Sequence, residues 1–164
     1  MQNLEERISL IRDKRKEISK LENDIHKVST NLFDDFCKSI FQKYTKLESF
    51  GWSQYTPYFN DGDICVFTAN TDYLKINGEF AEESKWYNVN SIKDWGKWNP
   101  KLKKYVGRVE TVNESYDEVL AKATDEIRDF LSLFDNDFFL RKFGDHADVT
   151  INSSGFSVDE CEHD

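Results

Sequence analysis

The stretch that decides the fold is WSQYTPYFNDGDICVFT, which occupies residues 52–68. Two aromatic and β-branched runs, residues 52–59 and 64–68, are joined by Asn60-Asp61-Gly62-Asp63. Because Asp-Gly is a strong short-range hairpin signal, the stretch predicts two antiparallel strands with a tight turn between them. Pro57 has no N–H to donate, so we expect the first strand to be an edge strand or a bulged strand. The aromatic side chains around the turn are expected to fill the interior of the domain.

Upstream of this stretch, residues 1–30 predict a helical arm. Its aliphatic seam has Leu4, Ile11, Ile18, Ile25 and Leu32 at a spacing of seven residues, with Ile8, Leu21 and Val28 beside them. Such a repeat, flanked by mixed charges, is typical of a helical hairpin or a short coiled coil. Arg15 and Glu22 interrupt the seam, so we expect the arm to pack against the domain's own helices or to make a modest homodimer contact. The polar residues 29–31 are predicted to cap a second, amphipathic helix.

Downstream of the stretch, the chain alternates between helix and hairpin signals. Thr111 to Glu114 reads as a capping box for a third helix, which is interrupted at residues 135–137 and ends at Gly144. Residues 148–158 read as a C-terminal hairpin. The sequence therefore predicts one α+β domain, residues 1–164, in which a mainly antiparallel sheet of β-hairpins packs on amphipathic helices. Its parts are the helical arm, residues 1–30, and a globular body, residues 31–164.

Composition bears on the class of protein. An aromatic share of 15% argues against a disordered chain, and no apolar run approaches the ~20 residues of a membrane span. Cys37, Cys65 and Cys161 are odd in number and widely spaced, and the start of the sequence does not resemble an export signal, so we expect reduced thiols in the cytoplasm. No pair of them has zinc spacing. The net charge of −9 argues against general binding to a nucleic-acid backbone. No GxSxG, HExxH, Walker or Rossmann pattern occurs, which favours a binding protein without a cofactor over an enzyme.

Three segments carry a family resemblance: QYTPYFNDGD at residues 54–63, Phe143-Gly144-Asp145-His146, and the ending Glu162-His163-Asp164. Together they resemble an uncharacterised family of small proteins encoded by tailed bacteriophages. The resemblance implies expression in the cytoplasm of an infected bacterium. It carries no catalytic residue over to this chain.

A first candidate site is a metal or acid–base cluster. Asp61 and Asp63 flank the turn glycine, and His146 follows the end of the third helix. If the turn met that segment, carboxylate and imidazole ligands would converge as a metal-dependent hydrolase requires. Alternatively, the two aspartates are turn formers and His146 caps the helix C-terminus.

A second candidate is an aromatic and basic loop at residues 86–108. Its candidate binding residues are Trp86, Trp95, Lys97, Trp98, Lys101, Lys103, Lys104 and Arg108. Proteins that bind single-stranded nucleic acids use this mixture, because bases stack on aromatic rings while ammonium groups follow the phosphates. Alternatively, the tryptophans anchor a long loop on the sheet and the lysines keep it soluble.

A third candidate is the acidic surface. Residues 29–164 hold 15 basic and 25 acidic side chains, and clustered acids could imitate the phosphates of DNA. The ordinary alternative is a solvated acidic surface. The sequence favours a non-catalytic phage accessory protein that docks on a host or phage macromolecule, possible roles being a counter-defence inhibitor or an acidic nucleic-acid mimic. The predicted partner is a host or phage protein, with nucleic-acid binding by the loop and metal-dependent hydrolysis as alternatives.

Overall fold

The computed structural model describes residues 3–59, 61–94 and 96–161 of the 164-residue chain. The elements within these ranges are α1 (Leu4–Lys43), β1 (Ser49–Tyr55), β2 (Thr68–Ala69), β3 (Lys75–Ile76), β4 (Glu79–Phe80), β5 (Asn90–Asp94), β6 (Lys97–Asn99), β7 (Lys104–Val106), β8 (Val109–Val112), α2 (Glu118–Leu131), α3 (Asn136–Phe143), β9 (Ala147–Asn152) and β10 (Gly155–Glu160). A long helix, an antiparallel sheet and two further helices confirm the predicted α+β class.

The main sheet is built around β1. Its strand order is β10-β9-β1-β3-β4, and β2 also pairs with β1, all pairs being antiparallel. Strand side chains alternate between faces, so Phe50, Trp52 and Gln54 are buried while Ser53 and Tyr55 are partly exposed on the other face. The helices supply most of the rest of the core that covers the buried face, and Leu47, Phe67, Leu74 and Ala81 between the elements complete it.

The predicted strands around the Asp-Gly turn are shorter than expected. β1 ends at Tyr55, β2 begins only at Thr68, and the chain between them is a loop in which Tyr58 and Phe59 are 73% and 76% exposed. The ladder stops because the Thr56 N–H donates to Asp145 Oδ1 at 2.8 Å and Pro57 has no N–H. The expectation that the aromatics around the turn fill the interior is therefore wrong for Tyr58 and Phe59.

The position predicted for the first strand is also corrected. β1 lies in the middle of the sheet and is not an edge strand, because Pro57 falls beyond its end and leaves both of its edges able to pair. Trp52 is fully buried there. Asn60, in the predicted turn, lies outside the described residues.

The first helix is continuous, without the predicted break at residues 29–31. Phe33 and Ile40 anchor its second half in the core, and this packing outweighs the weak capping signal of Ser29 and Thr30. Described residues before His26 are exposed on every side of the helix. The expectation that the arm packs against the domain's own helices is therefore wrong for residues 4–25.

The helix predicted from the capping box at Thr111 begins later. Thr111 pairs with Ser91 in the β5–β8 ladder, and α2 starts at Glu118 with Asp117 as its N-cap. The ammonium of Lys46 and the N–H groups of the first helical turn hold the pKa of Asp117 below its ordinary value. The other predicted boundaries are confirmed: Asp135 caps α3, Gly144 ends it with φ 87°, and β9 and β10 form the C-terminal hairpin.

Candidate nucleic-acid interface

Residues 90–112 form a two-stage β-hairpin, which we call the finger. β5 pairs with β8 in its lower half and β6 pairs with β7 in its upper half. Gly96 and Gly107 lie at the joint with positive φ, and a Cβ on Gly96 would meet the carbonyl oxygen of Val106 at 2.2 Å. The joint therefore requires glycine, which lets the two stages meet closely.

The base of the finger is fastened to the body. The Asn113 side-chain amide donates to the carbonyl oxygens of Lys85 and Asn88, and the Asp117 N–H donates to the carbonyl oxygen of Trp86 at 2.9 Å. These bonds fix both ends of the hairpin to the start of α2. The finger is thus held at its root while its upper half extends away.

Tyr87 adds a polar clamp beside that root. Its hydroxyl donates to Asp125 at 2.7 Å and accepts from the Arg128 guanidinium, which also pairs with Glu82. Burial, with Asp125 adding to it, raises the pKa of Tyr87 although the nearby guanidinium of Arg128 opposes this. The phenol therefore stays protonated and serves as a fixed link between the root and α2.

Aromatic and basic side chains are displayed on the upper half of the finger. Trp98 and Tyr105 form a cross-strand pair with ring centroids 5.3 Å apart, and the two residues are 53% and 54% exposed. The basic residues Lys97, Lys101, Lys103, Lys104 and Arg108 are also exposed. The finger therefore offers π-surface and positive charge on one narrow element.

Charge is segregated between the finger and the rest of the chain. The finger holds six basic and two acidic residues, a net charge of +4, whereas the whole chain carries −9. The remainder must therefore carry −13. Because the Debye length is only about 8 Å at physiological salt, a ligand at the fingertip meets mainly the local positive charge.

The predicted loop residues thus divide into two groups. Trp86 packs against the core and meets Tyr87 edge to face at 5.9 Å, which is the anchoring role of the alternative interpretation. Trp98 is displayed instead. Trp95 lies outside the described residues.

The structure brings together the two segments predicted to form a metal site, and His146 takes part in their contact. The end of β1 does meet the turn after α3, because the Thr56 hydroxyl donates to Asp145 Oδ2 at 2.7 Å and the Tyr58 ring stacks on His146 at 4.8 Å. Asp61 and Asp63 lie exposed in the loop beyond Tyr58. Among the described residues, no three His, Cys, Asp or Glu side chains are grouped so that they could hold a metal ion.

Asp145 has a structural role at this junction. Burial alone would raise its pKa, but hydrogen bonds from the Thr56 hydroxyl and from the N–H groups of His146 and Thr56 lower the pKa below its ordinary value. The carboxylate stays charged and ties β1 to the turn. Gln54 reinforces the tie, since it accepts from the Trp52 indole and donates to the carbonyl oxygens of Phe139 and Gly144.

Many of the body's acids are engaged in similar contacts. Asp117 and Asp135 cap helices, and Glu126 binds both Lys43 and the Tyr44 hydroxyl. Asp34 pairs with the nearly buried Lys142 at 2.9 Å. An acid that caps or pairs within the fold is less suited to imitate a phosphate, so mimicry stays a prediction supported by net charge alone.

The three cysteines, Cys37, Cys65 and Cys161, are free thiols. Burial raises the pKa of Cys37 to about 12, and the nearby carboxylate of Asp34 makes a smaller contribution in the same direction. Burial also raises the pKa of Cys161. A protonated thiol is a weak nucleophile. Nothing in these environments activates Cys37 or Cys161 for covalent catalysis.

One exposed surface was missed from the sequence. The loop after β1 displays Tyr58, Phe59, Ile64 and Val66, each more than 60% exposed. An aromatic and β-branched run predicts a strand equally well, and Pro57 is the signal in the sequence for where the ladder stops.

Comparison with known proteins adds no relative: no family model, curated protein or solved structure matches the chain. Among the described residues, none of the helices has the length and apolar character needed to span a membrane.

Proposed function

We propose that the protein is a non-catalytic binding protein of a phage-infected bacterium and that its finger binds single-stranded nucleic acid. The observation that carries the proposal is the exposed Trp98–Tyr105 pair among lysines on a hairpin of opposite charge to the body. The phage setting rests on the family resemblance. Docking on a protein was the first expectation from the sequence, but the finger supplies a more specific ligand chemistry.

Two contributions to binding are expected. Each base that stacks on an aromatic ring contributes about 1–3 kcal/mol, and this contribution tolerates any base sequence. Each phosphate neutralised by lysine releases counterions, so binding weakens as salt rises. Trp98 and Tyr105 are suited to the first, and Lys101 and Lys104 to the second.

The proposal is tested by fluorescence anisotropy with a labelled oligothymidylate of about 20 nucleotides at low salt. Trp98→Ala should raise Kd by about 5- to 150-fold, the range that a lost stacking contact predicts. Trp98→Phe keeps an aromatic ring beside Tyr105 and should retain most of the affinity. Its retention separates a stacking role from simple damage to the hairpin.

Charge reversal supplies the second arm of the test. Lys101→Glu/Lys104→Glu should raise Kd at least about tenfold. The slope of log Kd against log salt should fall by about 1.4, the value for two lost phosphate contacts on a single strand. Lys16→Glu/Lys20→Glu makes the same change of charge on the exposed arm. At salt concentrations where the Debye length is short, it should alter Kd less than about twofold. The proposal fails if the wild-type protein does not bind, or if finger and arm reversals act equally. Equal affinity for a duplex of the same length would overturn the assignment to single strands.

A further inference from the structure

Residues 4–25 of the arm leave the apolar seam without a partner within the described chain. The eight aliphatic side chains of the seam, which extends to Leu32, are between 40% and 67% exposed. Most helical stability in proteins comes from packing of an apolar face, and an apolar stripe on a helix is ordinarily buried against another element. We therefore expect the seam to be covered by a long, narrow and apolar partner.

We propose that two copies of the protein pair through their arms as an antiparallel coiled coil. The inference goes beyond nucleic-acid binding and does not depend on it. In the proposed register, Ile8 lies opposite Ile25 of the second copy and Arg15 opposite its Ile18. Leu4 then lies opposite Ser29 of the second copy. Arg15, Glu22 and Ser29, which recur every seven residues after Ile8, thus each face an aliphatic side chain.

The polar seam residues select this orientation. A parallel, in-register pair would place Arg15 against Arg15 and Glu22 against Glu22, and like charges buried at a helix interface are costly. In the antiparallel register, Arg15 lies about one helical turn, roughly 6 Å along the axis, from Glu22 of the second copy. An arginine side chain spans that distance, so the two residues become an ion pair across the seam.

The net charge of the bodies favours the same orientation. Residues 1–28 hold seven basic and six acidic side chains, whereas residues 29–164 carry a net charge of −10. A parallel pair would place two such bodies side by side. An antiparallel overlap of about 25 residues separates them by roughly 37 Å, which is several Debye lengths at physiological salt.

A cleft lies where the seam reaches the body. It has a volume of about 470 Å³ and lies between α1 and the turn joining α2 to α3. Glu22, Ile25, His26 and Ser29 of the helix line one side, and Leu133, Phe134, Asp135, Asp137, Phe138 and Arg141 line the other. In the proposed register, Leu4 and Ile8 of the second copy arrive at this cleft. The arm of one copy would therefore reach Leu133, Phe134 and Phe138 of the other, in a cleft that polar and charged side chains complete.

The area available is that of a modest interface. Transfer energies of aliphatic side chains correspond to roughly 50–100 Å² of buried surface for each side chain. If the seam side chains of both copies lose this area, the dimer removes on the order of 1,200 Å² from water. Specific interfaces begin at about this size. We therefore expect a dimer in micromolar equilibrium with the monomer.

Sedimentation equilibrium of the full chain tests the pairing. The wild-type protein should form a dimer with Kd in the micromolar range, and Ile8→Asp/Ile25→Asp should weaken it at least tenfold. Leu10→Asp is the matched control, because Leu10 is a 52% exposed aliphatic residue of the same helix outside the seam. It should leave Kd within about twofold of the wild-type value. An unchanged thermal midpoint of the body will show that each variant is folded.

Spin labels determine the orientation. A label on Glu6→Cys in a Cys65→Ser background should lie about 30 Å or more from its symmetry mate, because residue 6 faces residue 27 of the second copy. A label on Lys16→Cys, close to the twofold axis, should lie within about 20 Å of its mate given the 8–10 Å between helix axes. A monomer at all concentrations, a dimer insensitive to Ile8→Asp/Ile25→Asp, or a short Glu6 distance would each overturn the proposal. A dimer that does not bind oligonucleotides would instead contradict only the function proposed for the finger.

Discussion

Replacing Phe33 with alanine is expected to lower the free energy of unfolding by about 3–5 kcal/mol, the usual cost of removing a buried phenylalanine ring. Phe33 is 1% exposed, and its ring lies 5.6–6.5 Å from those of five other aromatic residues. These are Trp52, Phe130, Phe134, Phe138 and Phe143. The ring joins β1, α2 and α3 to α1, so its loss leaves a cavity that no single element can close.

Urea denaturation followed by tryptophan fluorescence measures this loss. Phe59→Ala is the matched control: Phe59 is 76% exposed in the loop after β1, so its substitution should change stability by less than about 0.5 kcal/mol. A Phe33→Ala protein as stable as the Phe59→Ala protein would show that Phe33 does not hold the helices to the sheet.

Features with local causes were predictable from the sequence. Asp135 caps α3 through a hydrogen bond to the Phe138 N–H, and Gly144 ends it in a positive φ that other residues rarely adopt. The C-terminal hairpin has an alternating pattern that needs no distant partner to interpret. In each case the residue that gives the signal also makes the contact.

Features that depend on distant pairing were not predictable. Residues 29–31 look like a helix break, but the burial of Phe33 and Ile40 carries the helix through them. Thr111 looks like a cap, but it pairs with Ser91 across 20 residues of chain. Tertiary packing outweighs weak local propensity, and one sequence does not reveal which segments will meet.

The candidate interface was half predictable for the same reason. The excess of lysine and aromatic residues in the second candidate loop is visible in the sequence. Whether a ring is displayed or buried depends on strand pairing: Trp98 faces Tyr105 on the exposed hairpin, while Trp86 packs against the core beside α2. The same is true of two segments that carry the family resemblance, residues 54–63 and 143–146. Thr56 in the first and Asp145 in the second are 89 residues apart and meet only in the folded protein.

Replacing Gly51 with alanine is expected to destabilise the protein by about 3 kcal/mol or more, at or above the upper end of the usual cost of overpacking. A Cβ at this position would lie 2.2 Å from the backbone carbonyl oxygen of Val149, which cannot rotate away as a side chain would. The β1–β9 ladder must therefore open, and it carries Trp52 and Val149 into the core. The measurement is the same urea titration with Ser49→Ala as control, because Ser49 lies on the same face of β1 and already has a Cβ. If Gly51→Ala and Ser49→Ala differ by less than about 0.5 kcal/mol, the ordinary scatter for a tolerated substitution, the close approach of β1 and β9 does not limit stability.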